Sequence, residues 1–116
     1  MAAKLNGLMW WIDRWRRSTA YSSMNLEEQG AYRNLLDEAY LRGGAIPNDE
    51  AILSRACGDT AKWRRVRAKV MARFVLKADG WHNETLDEVR ARSLEIAAAR
   101  SAAGQHGNVR RWAGRK

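Results

Sequence analysis

Three glycine-bearing breaks, Arg42-Gly43-Gly44, Gly58 and Asp79-Gly80, cut residues 25–84 into short pieces. Glycine readily takes the left-handed conformations that end helices and close tight turns, so no regular element is expected to run through these points. Asn25 can cap a first helix, with Glu28 three residues on returning the bond as in a capping box. Tyr32, Leu35, Leu36, Ala39 and Tyr40 then recur at helical spacing up to Leu41. "IPNDEAILSRACG" predicts a turn, a cap at Asn48 or Asp49, and a short helix with Ile52, Leu53 and Ala56 on its apolar side. Asp59 or Thr60 caps a third helix. "RFVLKADGWHNETL" predicts a β-hairpin: Phe74 to Lys77 as one arm, Asp79-Gly80 as a two-residue turn, and Trp81-His82-Asn83 as the other arm.

Helix, helix, turn, helix, hairpin is the order of a winged helix-turn-helix domain. The expected fold class is mainly α, of the α+β kind: helices, a short β-hairpin wing and a C-terminal helix from about Thr85 to about Ala103. Leu86, Val89, Ile96 and Ala97 mark one side of that last helix. The winged-helix domain with its C-terminal helix is placed at 25–103. Residues 1–24, rich in bases and tryptophan, form a segment packed on the core, either extended or as a short helix. Residues 104–116, "GQHGNVRRWAGRK", have no apolar periodicity and are expected to be a flexible basic tail.

A chain of 116 residues, 46% hydrophobic and 29% charged, fits one globular domain with a modest core. No apolar run approaches the roughly 18 residues of a membrane span, and the start has no signal-peptide h-region, so a soluble cytoplasmic protein is expected. Cys57 is alone and cannot form an internal disulfide. Cys57, His82 and His106 have no zinc-ligand spacing, so no metal is expected. The acid pairs Glu27-Glu28, Asp37-Glu38, Asp49-Glu50 and Asp87-Glu88 suit helix starts and exposed faces better than a catalytic constellation. "GDT" lacks the glycines and lysine of a phosphate loop. Neither an enzyme nor a cofactor is expected.

The formal net charge is +8, and it is segregated. Residues 60–78 carry seven bases and no acid; residues 89–116 carry seven bases and one acid, Glu95; the rest is net acidic. Clustered positive charge favours a polyanionic partner. On the third helix, Trp63, Val66, Val70 and Phe74 fall within an arc of about 80° and form a core stripe. Lys62, Arg65, Lys69 and Arg73 lie on one flank, with Arg64 on the far side. Bases at helical spacing suit successive phosphates, and one or two arginines suit guanine edges. The competing reading is a solvated amphipathic helix. Against it, Arg65, Lys69 and Arg73 are like charges four residues apart, an arrangement that costs a little in isolation. The candidate nucleic-acid contacts are Lys62, Arg64, Arg65, Arg67, Lys69 and Arg73, then Lys77 and His82 on the wing, and Arg110 and Arg111 in the tail.

Trp63 and Trp81 are expected in the core or anchoring the wing. Trp10 and Trp11 are too close together for both to face one core from a helix, and an exposed one suits a partner contact. Trp112, in "NVRRW", either stacks on a base or a partner surface or stands exposed.

"MNLEEQGAYRNLLDEAYLRGGAIPNDEAILSRACG" resembles the YdaU-like family of phage and prophage proteins of unknown function. The family's E-x-G-A-Y-x-x-L-L segment reads here as Glu28-Gln29-Gly30-Ala31-Tyr32 with Leu35-Leu36, and its P-x-D motif as Pro47-Asn48-Asp49. Trp63, Phe74, the "DGWHN" arm and "SAAGQHGNVRRW" also match in order. The resemblance implies a phage origin, a place beside replication genes, and likeness to the winged-helix DNA-binding part of phage replication initiators. The expected function is DNA binding in phage replication or its control, with RNA as the other nucleic acid. The alternative is a protein-interaction module that binds or inhibits a host nucleic-acid enzyme or defence complex, since winged helices serve that purpose too.

Overall fold

The computed structural model describes residues 12–113, with side chains through Ala103. It is mostly helical, with a small three-stranded antiparallel sheet and a C-terminal helix, as the α+β expectation requires. Two compact units divide the chain, Trp10–Asp87 and a second that holds residues 88–116.

In the first unit, helices α1 (Ile12–Arg16) and α2 (Thr19–Ser23) lead into α3 (Leu26–Leu41). The short-helix reading of the segment before Asn25 therefore holds from residue 12 onward. Trp15 stacks on Tyr32 of α3 at 5.4 Å between ring centroids, and Ala20 and Met24 are buried, which pins the segment to the core. The α3 capping box is complete: Glu28 N donates to Asn25 Oδ1 at 2.9 Å, and Asn25 N donates to Glu28 Oε1 at 2.8 Å.

Strand β1 (Ala45–Ile46) follows, then α4 (Glu50–Cys57), capped by Asp49 and ended by Gly58 in the left-handed conformation (φ 100°). After Gly58 and Asp59 comes α5 (Thr60–Met71), where Asp59 Oδ1 accepts from Ala61 N and Lys62 N. Helix α3 packs on both α4 and α5, which also pack on each other. Leu35, Ile46, Leu53, Val66 and Val70 are the largest fully buried side chains. Each contributes on the order of 2 kcal/mol by leaving water. The stripe read for α5 is the core stripe: Trp63, Val66, Val70 and Phe74 are all buried.

The hairpin is β2 (Val75–Lys77) and β3 (Gly80–His82), and β3 also pairs with β1, giving the order β1-β3-β2. Lys77 pairs with Gly80, so the two-residue turn is Ala78-Asp79, one position before the expected Asp79-Gly80. A turn centred on Asp79-Gly80 would have wanted positive φ at both, whereas no residue other than glycine has positive φ among those described. Gly80 instead joins β3 with φ 133°, because the Ile46 carbonyl of β1 crosses where a side chain would stand.

Helix α6 (Glu84–Ala113) continues past its expected end near Ala103. Glycines at 104 and 107 cost about 1 kcal/mol each relative to alanine, but no proline interrupts the alanine-rich stretch before them. Among the described residues no helix is long and apolar enough to cross a membrane.

Candidate nucleic-acid interface

Helix α5 buries one edge and turns the opposite strip outward: Ala61, Arg64, Arg65, Ala68 and Ala72 are exposed. No residue of α5 itself adds an acid to that strip. Alanine above and below the two arginines keeps the helix narrow there, so a groove wall or flat surface can approach its backbone.

The predicted basic residues on and just after α5, Arg64 apart, fall into three groups. Lys62 and Arg65 converge on Glu27 of α3: Lys62 Nζ lies 3.3 Å from Glu27 Oε1, and Arg65 Nη2 lies 3.3 Å from Oε2. Lys69 and Arg73 turn toward α2. Lys69 Nζ donates to Ser23 O at 3.1 Å and stands 4.0 Å from Glu28 Oε1. Arg73 donates to Thr19 Oγ1 at 2.9 Å and to Ser23 Oγ at 3.3 Å. Arg67 faces the other way and grips Glu50 at the start of α4, Nε to Oε1 at 2.5 Å and Nη2 to Oε2 at 3.2 Å. Trp63 Nε1 donates to the same Glu50 Oε1 at 2.7 Å. Together the Arg67 and Trp63 bonds hold the Glu50 carboxyl below its ordinary pKa.

Arg64 stands apart. It is exposed and, among the described residues, takes part in no ion pair or side-chain hydrogen bond. Lys77 is exposed on β2 beside the hairpin turn.

His82 is placed differently from a groove-facing wing residue. Its Nε2 is 2.7 Å from Asp79 Oδ1 and its Nδ1 is 2.8 Å from Asp87 Oδ2, so both ring nitrogens are engaged. Asp79, and then Asp87, push the imidazole pKa above its ordinary value. The residue thereby ties the hairpin turn to the first turn of α6. Trp81 anchors the hairpin from the other side, its Nε1 donating to Asn48 Oδ1 at 3.1 Å.

Sequence reasoning missed Glu27, Glu28 and Glu50 as partners. It read them as acids complementing helix dipoles, and their pairing with α5 depends on helix packing that no local pattern encodes. The acid-free run at 60–78 is thus not acid-free in space. Trp10 and Trp11 lie outside the described residues, and the side chains of Arg110, Arg111 and Trp112 lie outside those described. Among the described residues, no three His, Cys, Asp or Glu side chains cluster as a metal ion would require.

A cleft of about 340 Å³ lies along the start of α3, lined by Trp15, Leu26, Gln29, Gly30, Tyr32 and Arg33. Leu26 at its edge is 86% exposed and adds apolar surface beside the cleft.

No curated protein and no solved structure matches the chain at a significant level. One family model does match, over residues 10–90: DUF1376, described as a protein of unknown function. That span runs from before α1 through the hairpin into α6 and takes in most of the chain, which therefore belongs to the DUF1376 family.

Proposed function

We propose that this domain binds double-stranded DNA, with α5 lying in the major groove and the β2–β3 hairpin beside the backbone. The observation that carries the reading is the outward strip of α5: Arg64 and Arg65 between exposed alanines, on the second of two helices joined through Gly58 and Asp59. The order α3, β1, α4, α5, β2, β3 supports this reading, because a winged helix-turn-helix runs in that order and can present its third helix to DNA. Arg64 is the residue able to reach a base edge; Lys62, Arg65 and Lys77 are the phosphate contacts. Lys69, Arg73, Arg67 and His82 serve mainly to hold the fold. The YdaU-like resemblance supports a role in phage replication or its control.

The exposed Leu26 beside the cleft supports a second reading, a protein-interaction module that engages a host nucleic-acid enzyme or defence complex. An anisotropy titration of a labelled random-sequence duplex separates the two. DNA binding predicts micromolar affinity at low salt, with log K falling linearly against log salt at a slope of about −3 to −4, the size about three to four phosphate contacts give. No binding to duplex at low salt would favour the protein partner.

A further inference from the structure

We propose that Glu27 is a built-in competitor for the DNA phosphate that Lys62 and Arg65 would bind. The inference rests on the DNA-binding reading above. Two cations of α5, one helical turn apart, converge on the two oxygens of one carboxylate from another helix. Arg65 Nη2 reaches the second oxygen as well, at 3.5 Å from Oε1. A phosphodiester presents the same features: one negative charge shared by two oxygens. The Lys62–Arg65 notch is therefore a phosphate-shaped site filled by the chain's own acid.

Beyond its place in the first turn of α3, where an acid suits the helix dipole, Glu27 makes no other side-chain hydrogen bond or ion pair among the described residues. The α3 capping box uses the neighbouring Glu28, whose side chain bonds Asn25 N. Glu27 is 40% exposed and its two partners are 47% and 67% exposed, so these pairs add little to stability. In water such pairs open and reform readily. A phosphate arriving at the notch must displace or crowd Glu27, which weakens non-specific binding while Arg64 remains free to read a base. Arg67 differs: Glu50 is held by Trp63 as well and gives way less easily.

The test compares the wild type, Glu27→Gln, Asp37→Asn and Lys62→Ala/Arg65→Ala, with and without Glu27→Gln, on one random-sequence duplex by anisotropy. Asp37→Asn removes the same charge farther along α3, where Asp37 pairs with Arg33. Glu27→Gln should bind about five-fold tighter at low salt, with a salt slope steeper by about one contact, and Asp37→Asn should bind less than about two-fold tighter. In the Lys62→Ala/Arg65→Ala background the Glu27 change should have no effect. Circular dichroism melts confirm that each variant is folded. Equal gains from Glu27→Gln and Asp37→Asn, a gain that survives loss of Lys62 and Arg65, or no gain in a wild type that binds, would overturn the inference and leave the DNA reading standing. Absence of binding by both wild type and Glu27→Gln would overturn the DNA reading itself, and this inference with it.

Discussion

Gly80→Ala should be among the most damaging single changes in the domain, lowering stability by about 4 kcal/mol. Two costs combine. The φ of 133° at Gly80 lies where an L side chain is strained. A Cβ would also stand 2.2 Å from Ile46 O and 2.9 Å from Ile46 C, both backbone atoms of β1 that no rotamer change can move. Relief requires β1 to separate from β3, exposing the otherwise fully buried Ile46. For a unit of this size such a loss corresponds to a fall in Tm of at least about 15 °C, read by a thermal melt. Gly30→Ala is the matched control. Gly30 sits within α3 with nothing within 4 Å of a new Cβ, so the same substitution there should raise stability by about 0.5–1 kcal/mol. A mild effect at Gly80, comparable to that at Gly30, would mean that β1 does not cross the hairpin as described.

The second large effect belongs to Asn83. It is 3% exposed and joins four parts of the domain. Its Nδ2 donates to Tyr32 Oη of α3 at 3.1 Å and to Arg73 O after α5 at 3.0 Å, while its Oδ1 accepts from Leu86 N at 2.9 Å. It therefore caps α6 and satisfies two buried acceptors at the end of β3. Asn83→Ala removes a cap, about 1 kcal/mol, and strands buried polar groups at about 1 kcal/mol or more each. A loss of about 3 kcal/mol is expected in denaturant unfolding. Burial raises the Tyr32 hydroxyl pKa, and the Asn83 bond opposes that rise, so the two residues are coupled. In a double-mutant cycle, Tyr32→Phe should cost less in the Asn83→Ala background than alone, because the hydroxyl is already without this partner. Additive losses would contradict the bond.

Local chemistry was legible in the sequence where neighbours in the chain do the work. The Asn25–Glu28 box, the Asp49 and Asp59 caps, the Gly58 stop and the Trp63-Val66-Val70-Phe74 stripe all involve residues within a few positions of one another. Strand β1 was not legible: two residues carry no alternation, and it exists because β3 offers an edge to Ala45 and Ile46. The hairpin turn was off by one because its glycine serves contact with β1 rather than the turn itself. The candidate site was half legible. The pattern separated core from basic flank on α5, but the flank's partners come from α2, α3 and α4. Arg65 and Glu27 are 38 positions apart, and Arg73 and Thr19 are 54. Packing, not periodicity, converts most of the basic run from a free polyanion-binding row into a set of tethered side chains, and leaves Arg64 on α5 and Lys77 on β2 as its untethered cations among the described residues.

That difference makes the affinity of Arg64→Ala for duplex DNA, beside that of Arg55→Ala at fixed low salt, the sharpest measurement of DNA binding through α5. Arg55 is an exposed base on α4 that bonds Ala51 O of its own helix, so its removal makes the same change in net charge away from the outward strip. Arg64→Ala should bind about ten-fold more weakly and Arg55→Ala less than about two-fold more weakly. Equal losses in the two variants, or wild-type affinity in Arg64→Ala, would contradict DNA binding through α5.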